Sequence, residues 1–128
     1  MADSDNKPIR VLVVDDNQDA AVTLSYLLAW AGYEVETRFD GPSALAAADE
    51  FEPDACVLDI SMPGMDGYEL AERLRAKAPG RMPVLATVTA YRDFDHVKRA
   101  EEAGFDLYFT KPADAEELAE QLRACKRE

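Results

Sequence analysis

The chain has 128 residues, 48% of them hydrophobic and 31% charged, a balance that suits one globular domain with its own core and excludes a disordered chain. The 26 acidic residues outnumber 14 Lys and Arg, for a formal net charge of −12. That charge argues against nucleic acid as a direct partner, because duplex binding needs cationic side chains to displace counterions. No apolar run approaches the roughly 20 residues that cross a bilayer, and no signal-peptide pattern opens the chain, so no membrane partner and a cytoplasmic location are expected.

Residues 1–8 read as a polar, flexible N-terminus and residues 9–128 as the domain. Residues 9–14 (IRVLVV) are rich in β-branched side chains and almost continuously apolar, which predicts a strand covered on both faces. Asp15-Asp16-Asn17 ends it and offers helix-capping chemistry. Ala20, Leu24, Leu27, Leu28 and Ala31 then recur at helical spacing as the predicted inner face, until Gly32. Tyr26 and Trp30, near the end of that helix, are expected to be partly in the core. Tyr33–Phe39 alternates and predicts a more exposed edge strand.

Asp40-Gly41-Pro42-Ser43 turns into a second helix with Ala44, Leu45, Ala48 and Phe51 inward. Ala55–Leu58 is the third strand. A third helix follows Asp66-Gly67, with Leu70, Ala71 and Leu74 inward, and is expected to end near Ala78-Pro79-Gly80. Pro83–Val88 is the fourth strand, and Asp93–Ala103 a charged helix closed by Gly104. Leu107–Thr110 is the fifth strand, broken by Lys111-Pro112. Ala115, Leu118, Ala119, Leu122 and Cys125 form the inner face of a last helix. Cys56 and Cys125 have no metal-type spacing and are expected to be reduced thiols. Strict alternation of five strands and five helices predicts an α/β fold, a parallel sheet with helices on both faces.

In such a sheet the working crevice lies at the carboxyl ends of the strands. The first strand ends at Asp15-Asp16, the third at Asp59, the fourth at Thr89 and the fifth at Lys111. Each has an ordinary reading alone: helix caps, a loop acid, a strand-end hydroxyl, a turn. Together they put three carboxylates in one crevice, where a pair about 4 Å apart repels by up to about 4 kcal/mol. Hard oxygen ligands at an open site suit Mg²⁺, and a lysine and a hydroxyl donor suit phosphate oxygens. An acid, a divalent ion, a lysine and a hydroxyl make a phosphoryl-accepting centre.

VLVVDDN (Val11–Asn17), LDISMPGMDG (Leu58–Gly67), VTAY (Val88–Tyr91) and YFTKP (Tyr108–Pro112) resemble, in order and spacing, the receiver domain of bacterial two-component response regulators. The resemblance covers about residues 9–125. It implies a doubly wound, flavodoxin-like sheet of order 2-1-3-4-5. It implies that Asp59 accepts a phosphoryl group from a histidine kinase or a histidine phosphotransfer protein. Asp15, Asp16, Asp59 and the backbone carbonyl of Ser61 would hold Mg²⁺ or Mn²⁺, and Thr89 and Lys111 would bind the phosphoryl oxygens. Thr89 and Tyr108 would form the switch, with a cis bond at Lys111-Pro112. A monomer or a phosphorylation-dependent dimer is implied, with helix four, strand five and helix five as the readout face.

With helix five running almost to Glu128, a stand-alone regulator is expected; the alternative is a receiver from a hybrid kinase or phosphorelay protein. The stretch from Pro83 to Thr89 is one residue longer than the family spacing. The strand starts late, or carries a bulge, or Thr87 is the relevant hydroxyl; Thr89 is preferred because Ala90 follows it. Ala113 stands where the family often has a large apolar residue. The resemblance implies that Ser61 and Tyr91, at positions that vary within the family, tune loss of the phosphoryl group. An aspartate-dependent phosphatase is disfavoured, since Ser61 stands where its second acid would be. His96, the chain's one histidine, is expected to be a solvated face residue.

Overall fold

The computed structural model describes residues 7–77 and 82–125. Ten elements alternate without exception: β1 (Arg10–Val14), α1 (Gln18–Trp30), β2 (Glu34–Arg38), α2 (Gly41–Phe51), β3 (Ala55–Leu58), α3 (Gly67–Lys77), β4 (Val84–Thr89), α4 (Phe94–Ala103), β5 (Leu107–Thr110) and α5 (Ala115–Ala124). The fraying expected over residues 1–6 and the α3 end expected at residues 78–80 lie outside the described residues.

All strands are parallel, in the order β2-β1-β3-β4-β5. The near-continuous apolar runs are explained by burial on both faces. Val11, Val13, Ala55, Val57, Val84 and Ala86 face a core closed by α1 and α5. Leu12, Val14, Cys56, Leu58 and Leu85 face a second core, closed by α2, α3 and α4. Burial alone pushes the Cys56 thiol up to about 12, so it stays a thiol and packs as a small hydrophobe.

Each helix begins on an acid or amide whose side chain accepts an N–H of the first turn: Asn17 from Ala20, Asp40 from Ser43, Asp66 from Glu69, Asp93 from His96 and Asp114 from Glu116. Asn17 therefore performs the capping of α1, and Asp15 and Asp16 do not. Asp15 instead accepts the N–H of Asn17 at 3.0 Å.

Helix α1 departs from expectation. Of the predicted Ala20, Leu24, Leu27, Leu28 and Ala31, Leu28 is buried and Leu24 packs partly against the core, but Ala21 and Ser25 complete the buried face and Leu27 is exposed. Ser25 is accommodated because its hydroxyl accepts from Thr37 at 2.8 Å. With that face inward, the neighbouring stripe points to solvent: Val22 is 53%, Tyr26 79% and Trp30 89% exposed. Tyr26 and Trp30 are thus outside the core, roughly 140° and 180° round the helix from the middle of the buried face.

Strand β4 begins at Val84, one residue later than expected, which absorbs the extra residue before Thr89. β2 and β5 are the half-exposed edges.

Candidate functional site

The sheet reverses direction of growth between β1 and β3, and that is where the acids meet. Val14 pairs with Leu58, and the Asp59 N–H donates to the Val14 carbonyl at 2.9 Å. The next residue on each strand, Asp15 and Asp59, therefore leaves the sheet side by side. Oxygens of Asp15, Asp16 and Asp59 all lie within 4.8 Å of one another. Asp15 and Asp59 are only 8% and 6% exposed, whereas Asp16 faces solvent.

One cation reaches in from the β5 end. Lys111 Nζ lies 3.2 Å from Asp15 Oδ2 and 3.3 Å from Asp59 Oδ2. A single positive charge cannot neutralise three carboxylates. Burial first, and the Asp15 charge second, raise the Asp59 carboxyl from 3.8 to about 6, and Lys111 only partly opposes them. Burial would lower the lysine, but Asp59 and Asp15 outweigh it, and its pKa is raised. Three clustered hard oxygens with an unmet negative charge fit a small divalent cation such as Mg²⁺ or Mn²⁺.

The acids open into a pocket of about 540 Å³ lined by Asp15, Asp16, Asn17, Asp59, Ser61, Ala90, Tyr91 and Lys111. The Lys111–Pro112 peptide is cis. A second, more apolar cleft of about 700 Å³ runs from Asp59 and Lys111 between α1 and the start of α5, past Ala20, Leu24, Leu27 and Ala113. The small Ala113 leaves it open.

Both candidate hydroxyls are fully buried. Thr87 donates to the Leu58 carbonyl at 2.7 Å, inside the sheet. Thr89 Oγ1, at the strand end, accepts the Tyr91 N–H at 3.3 Å. The Thr87 hydroxyl is thus committed to a structural bond. Thr87→Val is expected to cost about 1–2 kcal/mol in a denaturant melt, because it deletes a buried hydrogen bond at constant shape. An unchanged melt would refute that role.

Tyr108, on β5, donates its hydroxyl to the Tyr91 carbonyl at 2.9 Å. His96 lies half-exposed on the face of α4 and has partners there. Its ring stacks on Tyr91, with centroids 3.9 Å apart and planes 9° apart, and its Nδ1 lies 2.6 Å from Asp93 Oδ1. Burial would raise Asp93, but hydrogen bonds from the His96 side chain and backbone outweigh it and hold the carboxyl below its usual value. Arg99 covers the ring of Tyr68, whose hydroxyl donates to the His96 carbonyl. Only the Asp93–His96 spacing at a helix start hinted at this cluster in the sequence.

Known proteins resemble this chain in sequence and fold. The family model of the response regulator receiver domain matches residues 11–123. The probable transcriptional regulatory protein TcrX of Mycobacterium tuberculosis is 40% identical over 127 residues, 99% of this chain and 53% of that protein. The transcriptional regulatory protein PrrA of the same species is 42% identical over 118 residues, 92% of this chain and 50% of that protein. This chain spans about half the length of these relatives. Among solved structures, chemotaxis protein CheY4 of Vibrio cholerae superposes with a TM-score of 0.86 at 30% identity, covering 92% of this chain and 98% of that one. A CheY-like receiver domain protein of Methanospirillum hungatei gives 0.84 at 29% identity, covering 92% and 93%.

Proposed function

The chain belongs to the response regulator receiver domain family, and from that premise we propose that it takes a phosphoryl group from a phosphohistidine onto Asp59 and reports it through protein contacts. One observation carries this reading. The nearly buried Asp59 carboxylate sits at the tip of β3, 3.3 Å from Lys111 and clustered with Asp15 and Asp16.

The phosphodonor is a histidine kinase or phosphotransfer protein. An Asp59 oxygen attacks phosphorus as the phosphorus–nitrogen bond breaks, and the departing imidazole recovers its electron pair. Asp15, Asp16, Asp59 and the Ser61 carbonyl would hold Mg²⁺ or Mn²⁺, which neutralises charge on the transferring group. Lys111, already between Asp15 and Asp59, moves its ammonium to the phosphoryl oxygens. The Thr89 hydroxyl joins it there and gives up the Tyr91 N–H. Tyr108 then releases the Tyr91 carbonyl and turns inward. That is a two-state repacking biased by one local charge, read on α4, β5 and α5.

The test uses acetyl phosphate as donor and intact mass as readout. Wild type with Mg²⁺ should gain one phosphoryl group, acid-stable and removed by hydroxylamine; Asp59→Ala and wild type with a chelator should gain none. A wild type that stays unmodified while binding Mg²⁺ would sink the proposal.

Tyr91, at the pocket mouth, shields the phosphoryl group from water. Tyr91→Ala is expected to shorten the adduct's lifetime severalfold, and an unchanged decay rate would refute the shield.

As a stand-alone regulator the domain would act by docking a target or pairing with a second copy. A second reading, in which it is one module of a longer regulator, is favoured by its spanning about half of TcrX and PrrA.

A further inference from the structure

Residue 91 is held at three points. Its N–H donates to Thr89 Oγ1, its carbonyl accepts from the Tyr108 hydroxyl, and its ring stacks on His96. The same residue lines the mouth of the acid pocket beside Asp16, Asp59 and Ser61. His96 is in turn fixed from two sides. Asp93 accepts the His96 N–H with one carboxylate oxygen, at 3.2 Å, and holds the imidazole Nδ1 with the other, at 2.6 Å. From α3, Tyr68 donates to the His96 carbonyl at 3.3 Å, and its ring lies 6.5 Å from the imidazole.

Two of the three holds on Tyr91 belong to the residues that the switch would move. Thr89 leaves for the phosphoryl oxygens and Tyr108 turns inward. The third hold is made by neither of them: His96 is itself fixed by Asp93 and Tyr68.

We propose that His96 is a positioning residue: through its stack it keeps the Tyr91 ring at the pocket mouth after phosphorylation and so slows hydrolysis of phospho-Asp59. The inference rests on the phosphoacceptor reading and assigns control of phosphoryl lifetime to a side chain on α4, outside the acid cluster. The step being slowed is simple. A water oxygen bonds to phosphorus, the bond from Asp59 to phosphorus breaks, the carboxylate is restored, and inorganic phosphate leaves as dihydrogen phosphate with both of the water's protons. His96 touches none of these atoms. It governs how often a water reaches them.

A stack of this geometry biases its partner's position by roughly two- to tenfold, and the lifetime should follow by the same factor. The experiment loads wild type, His96→Ala, His96→Phe, Tyr91→Ala and the Tyr91→Ala/His96→Ala double variant with acetyl phosphate and Mg²⁺. The donor is then removed and the adduct followed by intact mass. His96→Ala should decay roughly two- to tenfold faster than wild type. His96→Phe, which keeps a stacking ring without the Asp93 contact, should restore most of the lifetime. In the Tyr91→Ala background, His96→Ala should change nothing further.

A His96→Ala rate equal to or slower than wild type overturns the proposal. So does failure of His96→Phe to restore the lifetime, or a full His96→Ala effect without Tyr91. The two readings fail differently. A wild type that takes up no phosphoryl group removes the phosphoacceptor reading and this one with it. A wild type that is loaded, but decays no more slowly than His96→Ala, removes only this one.

Discussion

Asp59→Asn is expected to stabilise the metal-free protein by about 1–3 kcal/mol at neutral pH while abolishing phosphoryl uptake. The Asp59 carboxyl is raised from 3.8 to about 6 by burial and by the neighbouring Asp15 charge. A carboxyl whose folded pKa lies above its unfolded one favours the folded state when protonated. Wild type should therefore be most stable, as far as this group goes, below about pH 4, and should lose that contribution as pH climbs from about 4 through about 6. Each unit of difference is worth about 1.4 kcal/mol, which sets the upper end of the range. Asn carries no charge and escapes the loss. Lys111 still has Asp15 at 3.2 Å, so the exchange does not strand the ammonium. Denaturant melts at about pH 7.5 and about pH 4.5 measure it: the advantage of Asp59→Asn should be large at the first and small at the second. Equal stability of the two proteins at both values would refute the account. Added Mg²⁺ should narrow the gap at neutral pH, because the ion binds the folded wild type better than the variant.

Gly67→Ala should be the most damaging single-methyl substitution near the site. An added Cβ would lie 2.7 Å from Ile60 Cα and closer still to the Asp59 carbonyl oxygen. Gly67 also donates its N–H to the Ile60 carbonyl at 2.9 Å, so α3 starts pressed against the backbone of the loop that follows β3. Backbone meets backbone there, and no side chain can swing aside. The expected cost is about 2–3 kcal/mol of stability. The rate of uptake from acetyl phosphate should fall further than stability explains, because the displaced peptide carries Asp59, and a 1 Å error in a reacting group can cost about 100-fold. Gly64→Ala is the comparison. Nothing lies within 4 Å of its added Cβ, and its cost comes from a φ of +80° alone, about 1–2 kcal/mol. Equal melts for Gly67→Ala and wild type would contradict the close approach.

The strands and their order of burial were legible because a doubly covered strand must be apolar throughout, and VLVV and ACVL are. The acids were legible because strand ends in a parallel sheet converge, so Asp15, Asp16, Asp59 and Lys111 could be brought together without knowing any distance. Helix faces were read unevenly, for a physical reason. α5 carries Glu116, Glu117, Glu120 and Gln121 on its outside, and its buried Leu118, Ala119 and Leu122 follow from that contrast. α1 has no charged residue after Asp19, so nothing in its sequence fixes the rotation: Leu28 was placed correctly, but Ala21 and Ser25 were missed and Leu27 faces solvent. Of the Tyr91–His96 cluster, only the Asp93–His96 spacing was legible. The cluster gathers Tyr68 from α3, Tyr91 and Asp93 from a loop and His96 from α4, contacts set by packing and spread over 28 residues.

The rotation of α1 has an optical consequence. Trp30 is the chain's one tryptophan, and at 89% exposure its indole is already bathed in solvent in the native state. Its emission should sit near that of a free indole and change little when the core melts, so fluorescence would under-report an unfolding that circular dichroism records in full. The same indole becomes a sensitive lamp for anything that settles on the outer face of α1: a blue shift at constant ellipticity would register docking there without a label.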